Sequence, residues 1–396
     1  MPDYPALMHI LSRPRPNGSA ALAQTLQSLQ AWLDQQAIPY RLERFPLYPY
    51  TWPAIGAWLI VSRSLLALAI WERWGWPALA LAVLGLLGGL VDVTLGLPLV
   101  TWPGRQPGYN LLLEFGPAQP QQELVLSAHY DSKTELLDHR QRMFFVRGLP
   151  VGILLTILLG LLGPLDAYLL QSGSPWAALT YWSGVLLSLP LLVLAWGLGL
   201  NLSLGGLRAR LGGASLGAVD NGTACAVLLG LAQRLQAGEL PLQRTRLTLA
   251  LFGGEEVNMQ GSQAYVRGRD WPLPAAVLNL EVLAQDGDYV LWEQDGLSLK
   301  LWPCSETVIQ AASTAVQQVT GQAPRRVGPV NSDGGSFLRR GLPASTLGTY
   351  DTRLVDRGFH SPADNLGRVK LERLPEAEEI LAAMVRDFEE GKWRIG

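Results

Sequence analysis

The stretch ELVLSAHYDSK, residues 123–133, decides the fold. Its first six residues form a short apolar run bounded by turn residues, the pattern of a strand buried on both faces. Polar His129, Tyr130 and Asp131 follow at once. Three other runs repeat the pattern: RLTLALF (246–252), AVLNL (276–280) and ASTL (344–347). Between and around them lie stretches of helical periodicity: 20–36 behind an Asn17/Ser19 cap, 222–236 behind Asp220 and Asn221, then 306–319, 335–340 and 375–390. Strands alternating with helices predict an α/β domain built on a doubly wound, mostly parallel sheet.

In such sheets ligands bind outside the carboxyl ends of the strands. This chain places metal-capable residues there repeatedly. His129 and Asp131 follow the first run, Glu255 and Glu256 come two glycines after the second, Glu281 directly follows the third, and His360 lies in a Gly/Asp-rich loop after the fourth. Asp220 joins them from the start of a helix, where Asp220-Asn221-Gly222 also reads as a cap. Two histidines and three carboxylates suit a pair of zinc ions, which bind imidazole nitrogen and carboxylate oxygen at about 2.0–2.2 Å. A shared carboxylate holds two such ions about 3.5–4 Å apart against a scissile carbonyl. Neighbours in the Glu255-Glu256 doublet point in different directions, so one can bind metal while the other faces water as a base. The remaining histidines, His9 and His139, read as surface residues.

In order along the chain, GYNLLLEFGPAQPQQELVLSAHYDSK, GAVDNGTACAVLLGLAQRL, LALFGGEEVNMQGSQAYV, VLNLEV and SDGGSFLRRGLPASTLGTYDTRLVDRGFHSPADNL resemble the successive motifs of the co-catalytic zinc exopeptidase family, which includes bacterial leucyl aminopeptidases and glutamate carboxypeptidase. Residues 8–40 also look like that family's leading helix. The resemblance implies His129 on one zinc, Asp220 bridging, Glu255 as base, Glu256 on the other zinc, Glu281 and His360 as further ligands, and Asp131 orienting His129. Two departures stand out. The family has Asp where this chain has Glu281, and Phe359 stands where some members place an oxyanion-stabilising Tyr, a role for which Tyr350 and Tyr130 are substitutes. The implied function is a zinc-dependent aminopeptidase in which water activated by metal and deprotonated by Glu255 attacks a peptide with a free N-terminus. A single-zinc glutaminyl cyclase, which shares an HYDSK-like segment, and a catalytically silent scaffold are the alternatives.

Composition adds a membrane. Of 396 residues 48% are hydrophobic and only 16% charged, against about 25% charged in a soluble chain. Four apolar stretches, 53–71, 74–100, 148–170 and 175–202, each approach the ~20 residues a spanning helix needs. They pair into hairpins through Glu72-Arg73 and through Gln171 to Ser174. Trp71, Trp74, Trp76, Trp102, Trp176 and Trp182 lie near the span ends, as an aromatic belt would. Arg63 and Asp92 interrupt the first two spans; a depth offset of roughly 13 Å argues against their pairing, and Arg63 is expected to be buried against the other hairpin with Asp92 near an interface. The expected organisation is an N-terminal helical segment packing on the catalytic domain (1–52), a first transmembrane hairpin (53–100), a first catalytic part (101–147), a second hairpin inserted into that domain (148–202) and a second catalytic part (203–396).

Four crossings put both catalytic parts and the N-terminal segment on one side of the membrane. Arg41, Arg44, Arg105, Lys133, Arg140, Arg142, Arg147, Arg208 and Arg210 flank the spans there, against Arg73 alone in the opposite turns. The positive-inside rule then makes this a multi-pass inner-membrane protein with a cytoplasmic catalytic domain. Residues 1–50 show no basic-then-apolar leader. With a net charge of −2 and no basic stripe, nucleic acid is excluded as a main partner. Cys225 and Cys304, lacking CxxC spacing, exclude a disulfide scaffold or a cysteine zinc module and read as small buried apolar residues.

Overall fold

A computed structural model describes residues 2–95, 104–297, 300–350 and 358–393, with the backbone alone for 89–95 and Leu297. In chain order its elements are α1 (Tyr4–Leu11), α2 (Ala20–Gln35), β1 (Arg41–Leu47), α3 (Thr51–Trp71), α4 (Trp76–Leu95), β2 (Gln106–Phe115), β3 (Gln122–His129), α5 (His139–Arg147), α6 (Leu149–Gln171), α7 (Trp176–Arg208) and α8 (Thr223–Gln236). They continue with β4 (Thr245–Phe252), α9 (Gln260–Arg267), β5 (Ala275–Glu281), β6 (Asp288–Trp292), β7 (Gln294–Leu297), β8 (Lys300–Pro303), α10 (Glu306–Thr320), β9 (Arg325–Val327), α11 (Gly334–Leu338), β10 (Ala344–Tyr350) and α12 (Arg373–Glu389). The chain divides into a strand-bearing unit, Met1–Pro49, Arg105–Thr134 and Gly213–Gly396, and a helical unit, Tyr50–Gly104 and Glu135–Gly212.

In the strand-bearing unit eight strands form one sheet in the order β1-β2-β4-β3-β5-β10-β6-β9. The four runs read from the sequence are its centre, β4, β3, β5 and β10, and they are mutually parallel. The sheet is nevertheless mixed. β1 pairs with β2, β2 with β4 and β6 with β10 in antiparallel fashion. Helices cover both faces, and the side-chain alternation of each strand sorts its residues between two cores. Leu124 and Leu126 of β3 and Leu249 and Leu251 of β4 join a large core with residues of α1, α2, α8, α10 and α12. Val125, Ala250 and Phe252 point the other way, to Tyr265 of α9 and Phe337 of α11. Register sets the carboxyl ends level: His129 stands opposite Phe252, and Glu281 opposite Gly348.

Ser19 caps α2 by accepting from the Leu22 N–H at 3.1 Å. Asn17, read as part of that cap, instead donates to Asp131. Asp220 does not cap α8, which has no side-chain cap; its backbone is non-helical (φ −109°, ψ 89°), and the carboxylate is thereby free to turn toward the histidines. His139 is half-buried against Arg142, 2.7 Å from its Nη2, and is no free surface residue.

In the helical unit, α3 has 21 residues, α4 20, α6 23 and α7 33. Three helical stretches, Thr51–Trp71, His139–Gln171 and Trp176–Gly213, are long and apolar enough to cross a membrane, and Trp76–Gly88 is a shorter apolar helix. Trp71, Trp74, Trp76, Trp176 and Trp182 are exposed near helix ends. Trp102 and the Asp92 side chain lie outside the described residues. Arg63 is buried, as expected, and it reaches the second helix of its own hairpin: a Cβ on Gly85 would collide with its guanidinium, and its Nη1 donates to Ser62. The absent side chain at Gly85 makes the room. A carboxylate overlooked in the sequence, Asp166 in α6, forms the ion pair between the hairpins, 3.0 Å from Arg73 Nε.

Candidate metal centre

Every metal-capable residue named from the sequence converges at the carboxyl edge of the parallel strands. His129 ends β3, and its Nε2 lies 3.3 Å from Asp220 Oδ1, 3.5 Å from Glu281 Oε2 and 3.8 Å from Glu255 Oε2. His360 Nε2 lies 3.3 Å from Asp220 Oδ2 and 3.0 Å from Glu256 Oε1. Two donor groups result, His129/Asp220/Glu281 and Asp220/Glu256/His360, and Asp220 contributes one oxygen to each.

Local chain chemistry explains the placement. After β4 the chain turns through Gly253 and Gly254. A Cβ on Gly253 would collide with the Tyr109 carbonyl, and Gly254 has φ +75°, a conformation that glycine adopts without strain. Asp131, fully buried, then holds the doublet: its Oδ2 accepts from the Glu256 N–H at 3.0 Å and its Oδ1 from the Glu255 N–H at 3.3 Å. Toward His129 Asp131 acts chiefly through its backbone, with the carbonyl oxygen 3.2 Å from Nδ1 and the carboxylate at 3.6 Å. That carbonyl accepts a hydrogen bond from Nδ1–H, which leaves Nε2 to face the carboxylates.

Glu281 is clamped at both oxygens. Asn221 Nδ2 donates to Oε2 at 2.9 Å and Asn279 Nδ2 to Oε1 at 3.0 Å, while Ser127 Oγ donates to Asn279 Oδ1 at 2.9 Å. The longer side chain is therefore fixed by amides on each side of it. Arg15, buried completely, ties the N-terminal segment beneath the site through the carbonyls of Tyr130 at 2.7 Å and Gly217 at 2.9 Å. Asp364 accepts from the Val219 N–H at 2.7 Å and steadies the turn that presents Asp220. Cys225, buried as expected, donates its thiol to the His129 carbonyl, whereas Cys304 is only half-buried. Tyr130 is no oxyanion donor, because its hydroxyl is spent on the Tyr109 carbonyl at 2.8 Å.

Electrostatics show how much negative charge this edge concentrates. Burial pushes Glu255 well up, with Glu256, Glu281 and Asp333 adding to it against the pull of His129. Burial likewise raises Glu281. Burial alone would lower His129, but Glu255, Glu281, Asp131 and Asp220 hold it well above its usual value. Asp220 is held low despite burial by the two histidines. Asp333, fully buried, is pushed up to about 8 by burial, against the pull of His129 and Ser262. Glu256 Oε1 is buried beside His360 Nε2 at 3.0 Å, with no well-aligned hydrogen bond among the described residues. Converging carboxylates and imidazoles call for a cation, and the donor types are those of zinc.

Residues 203–385 match Peptidase family M28. Aminopeptidase YwaD of Bacillus subtilis (strain 168) is 25% identical over 185 residues, a stretch that spans 43% of this chain and 37% of that protein. Among solved structures, BSAP, a zinc aminopeptidase from Bacillus subtilis, superimposes with a TM-score of 0.56 at 14% identity, covering 97% of this chain and 94% of that one. The Fimbriiglobus ruber glutaminyl cyclase gives 0.54 at 12% identity, covering 97% and 92%. These two likenesses show a shared fold. Residues 203–385 are thus similar to peptidase family M28, and the two donor groups at the strand ends of this chain fit zinc.

Proposed function

We propose that this protein is a membrane-held zinc exopeptidase that removes residues from the free N-terminus of peptides. The observation that carries the reading is Asp220, which offers one oxygen to each of two donor groups. In this reading His129, Asp220 and Glu281 hold one zinc and Asp220, Glu256 and His360 the other. Bound there, the metal supplies Lewis acidity to the scissile carbonyl and lowers the pKa of water. Glu255, bonded to Asp131 only through its backbone, keeps its carboxylate available to take a proton from the attacking water and pass it to the leaving amine. Asp131 holds that carboxylate and Glu256 in register. The aminopeptidase YwaD match supports the substrate class.

The clamp on Glu281 favours a second reading, a single zinc in a glutaminyl cyclase-like enzyme, since both Glu281 oxygens already accept hydrogen bonds. Zinc content of the purified full chain, measured beside activity on aminoacyl substrates and on Gln-initiated peptides, separates the readings. Two zinc ions with release of N-terminal residues supports the peptidase; one zinc with cyclisation of glutamine replaces it; metal without turnover leaves a silent scaffold.

The membrane is part of the proposal. The outward residues of α3, α6 and α7 are apolar, and we infer two hairpins in the bilayer, 53–100 and 148–202, with 1–52, 101–147 and 203–396 on the cytoplasmic side by their basic flanks. Alkaline phosphatase fused after Gly396 should be inactive and a cytoplasm-dependent fluorescent reporter bright; the reverse pattern inverts the orientation.

A further inference from the structure

We infer that the outward face of α5 is a headgroup site for anionic phospholipid, with Arg140 and Arg147 as its phosphate ligands; the inference rests on the membrane reading above. The argument begins with a capped helix. Asp138 closes a capping box with Gln141, so α5 is well started although none of its residues is fully buried. Its rotation is fixed from inside the helical unit. Phe145 fills the notch at Gly197, where any Cβ would collide with its ring, and Arg142 Nη1 donates to the buried Glu135 carboxylate at 2.8 Å.

Those inward contacts determine what faces out. Arg140, Phe144 and Arg147 share one helical stripe at i, i+4 and i+7, and all three are exposed, Phe144 by 66%. Gly148 stays in the right-handed helical region (φ −75°, ψ −11°), so the ladder runs on into α6. On the same stripe there follow Val151, Leu154, Leu158, Leu161 and Leu165, every one exposed. The outward face thus changes at Gly148 from purely apolar to two arginines around one aromatic ring.

Neither Arg140 nor Arg147 has a hydrogen bond or ion pair among the described residues, unlike Arg142 on the inner face. Seven residues of helix separate them by about 10 Å, enough to reach through the polar layer beside the hydrocarbon. Arg147 sits at the boundary, Phe144 beside it, and Arg140 further out. A guanidinium forks onto two oxygens of a phosphate. Anionic headgroups on the cytoplasmic leaflet supply the complementary charge.

The test uses the full chain reconstituted in vesicles of phosphatidylcholine mixed with phosphatidylglycerol, each lipid supplied in turn as a photoactivatable probe, with adducts mapped by mass spectrometry. The expected result is labelling of α5 and the first turn of α6 by the phosphatidylglycerol probe in preference to the phosphatidylcholine probe, resistant to excess inorganic phosphate. Arg140→Gln with Arg147→Gln should weaken the apparent affinity for the anionic probe roughly 20-fold, while Arg140→Lys with Arg147→Lys should keep most of it. Equal labelling by the two probes, undiminished preference in the double Gln variant, or full competition by inorganic phosphate overturns the site while leaving the membrane reading intact. Wild-type protein that fails to sediment with membranes overturns both.

Discussion

In the strand-bearing unit buried charge is common: Arg15, Glu123, His129, Asp131, Glu256, Glu281, Asp295 and Asp333 all lie inside. Most of it is met by a partner. Among the described residues the buried charges of the helical unit are Arg63, Glu135 and Asp166, large apolar side chains face outward instead, and all the exposed large apolar residues except Leu366 and Leu371 belong to it. Scattered exposed leucines are ordinary, but a surface lined by them on every helix is not. The strand-bearing unit buries many charges, whereas the helical unit buries few and turns its large apolar side chains outward; if the proposed hairpins lie in a bilayer, this is the pattern of two different solvents acting on one chain.

The comparison breaks first at Glu255. If the charges inside the strand-bearing unit do chemistry, Glu255→Gln should lower turnover by about 10³-fold and keep its zinc, whereas His129→Ala should lose metal altogether. Loss of zinc in the Glu255 variant would make that residue a ligand.

A second prediction concerns the cost of burying charge without metal. Burial pushes Asp295 up to about 7, opposed by bonds from Ser332 at 3.2 and 2.6 Å. The folded state therefore binds the proton more tightly than the unfolded one. The resulting stability is complete below about pH 4 and is lost as pH rises through 7. Across that window the strand-bearing unit should weaken by on the order of 4 kcal/mol, at about 1.4 per pH unit. Hydrogen exchange of β10 amides should report this slope, and Asp295→Asn should flatten it. An unchanged slope in that variant would assign the pH dependence elsewhere.

The outward face offers a third test. Leu161, exposed near the middle of α6, could become Lys at little cost in water. In a bilayer the same change costs about 2.5–3.5 kcal/mol. Markedly lower recovery of Leu161→Lys in the membrane fraction is expected; wild-type recovery in soluble form would dissolve the contrast between the units. Smallest is the effect of the Glu281 clamp. Asn279→Ala should weaken one of the two zinc sites by about 10–100-fold, read as a second, weaker phase in zinc titration, while Glu281→Asp preserves or improves binding. Unaltered titration in the Asn279 variant would leave the clamp without influence on metal.

How legible all this was depends on how locally each feature is encoded. The four central strands could be read because a parallel strand buried on both faces is a continuous apolar run. β1, RLERFPL, mixes arginines with a proline, and β6 and β9 have only five and three residues, so their pairing is decided by neighbours far along the chain; β7 and β8, four residues each, pair locally with each other. The metal-capable residues were visible because each follows a readable strand or opens a helix. Arg15 and Asn221 were not, since their importance lies in what they reach across more than fifty residues of sequence, and Asn279, two residues before Glu281, reads as one polar residue inside an apolar strand. Asp333 stood inside a quoted motif without a role. Asp166 had a signal that went unread, a lone carboxylate in an apolar span whose sequence elsewhere offers Arg73 as partner.

The insertion of α6 and α7 between His129 and Asp220 also imposes a schedule on synthesis. His129 leaves the ribosome before those helices; Asp220, Glu256, Glu281 and His360 leave after them. A nascent chain can thus hold one imidazole of the centre, but not the carboxylates that would complete it, until both long apolar helices have been delivered. Assembly of the candidate metal centre waits on translation of both long apolar helices, so a chain that stops between them lacks all but one of its candidate ligands.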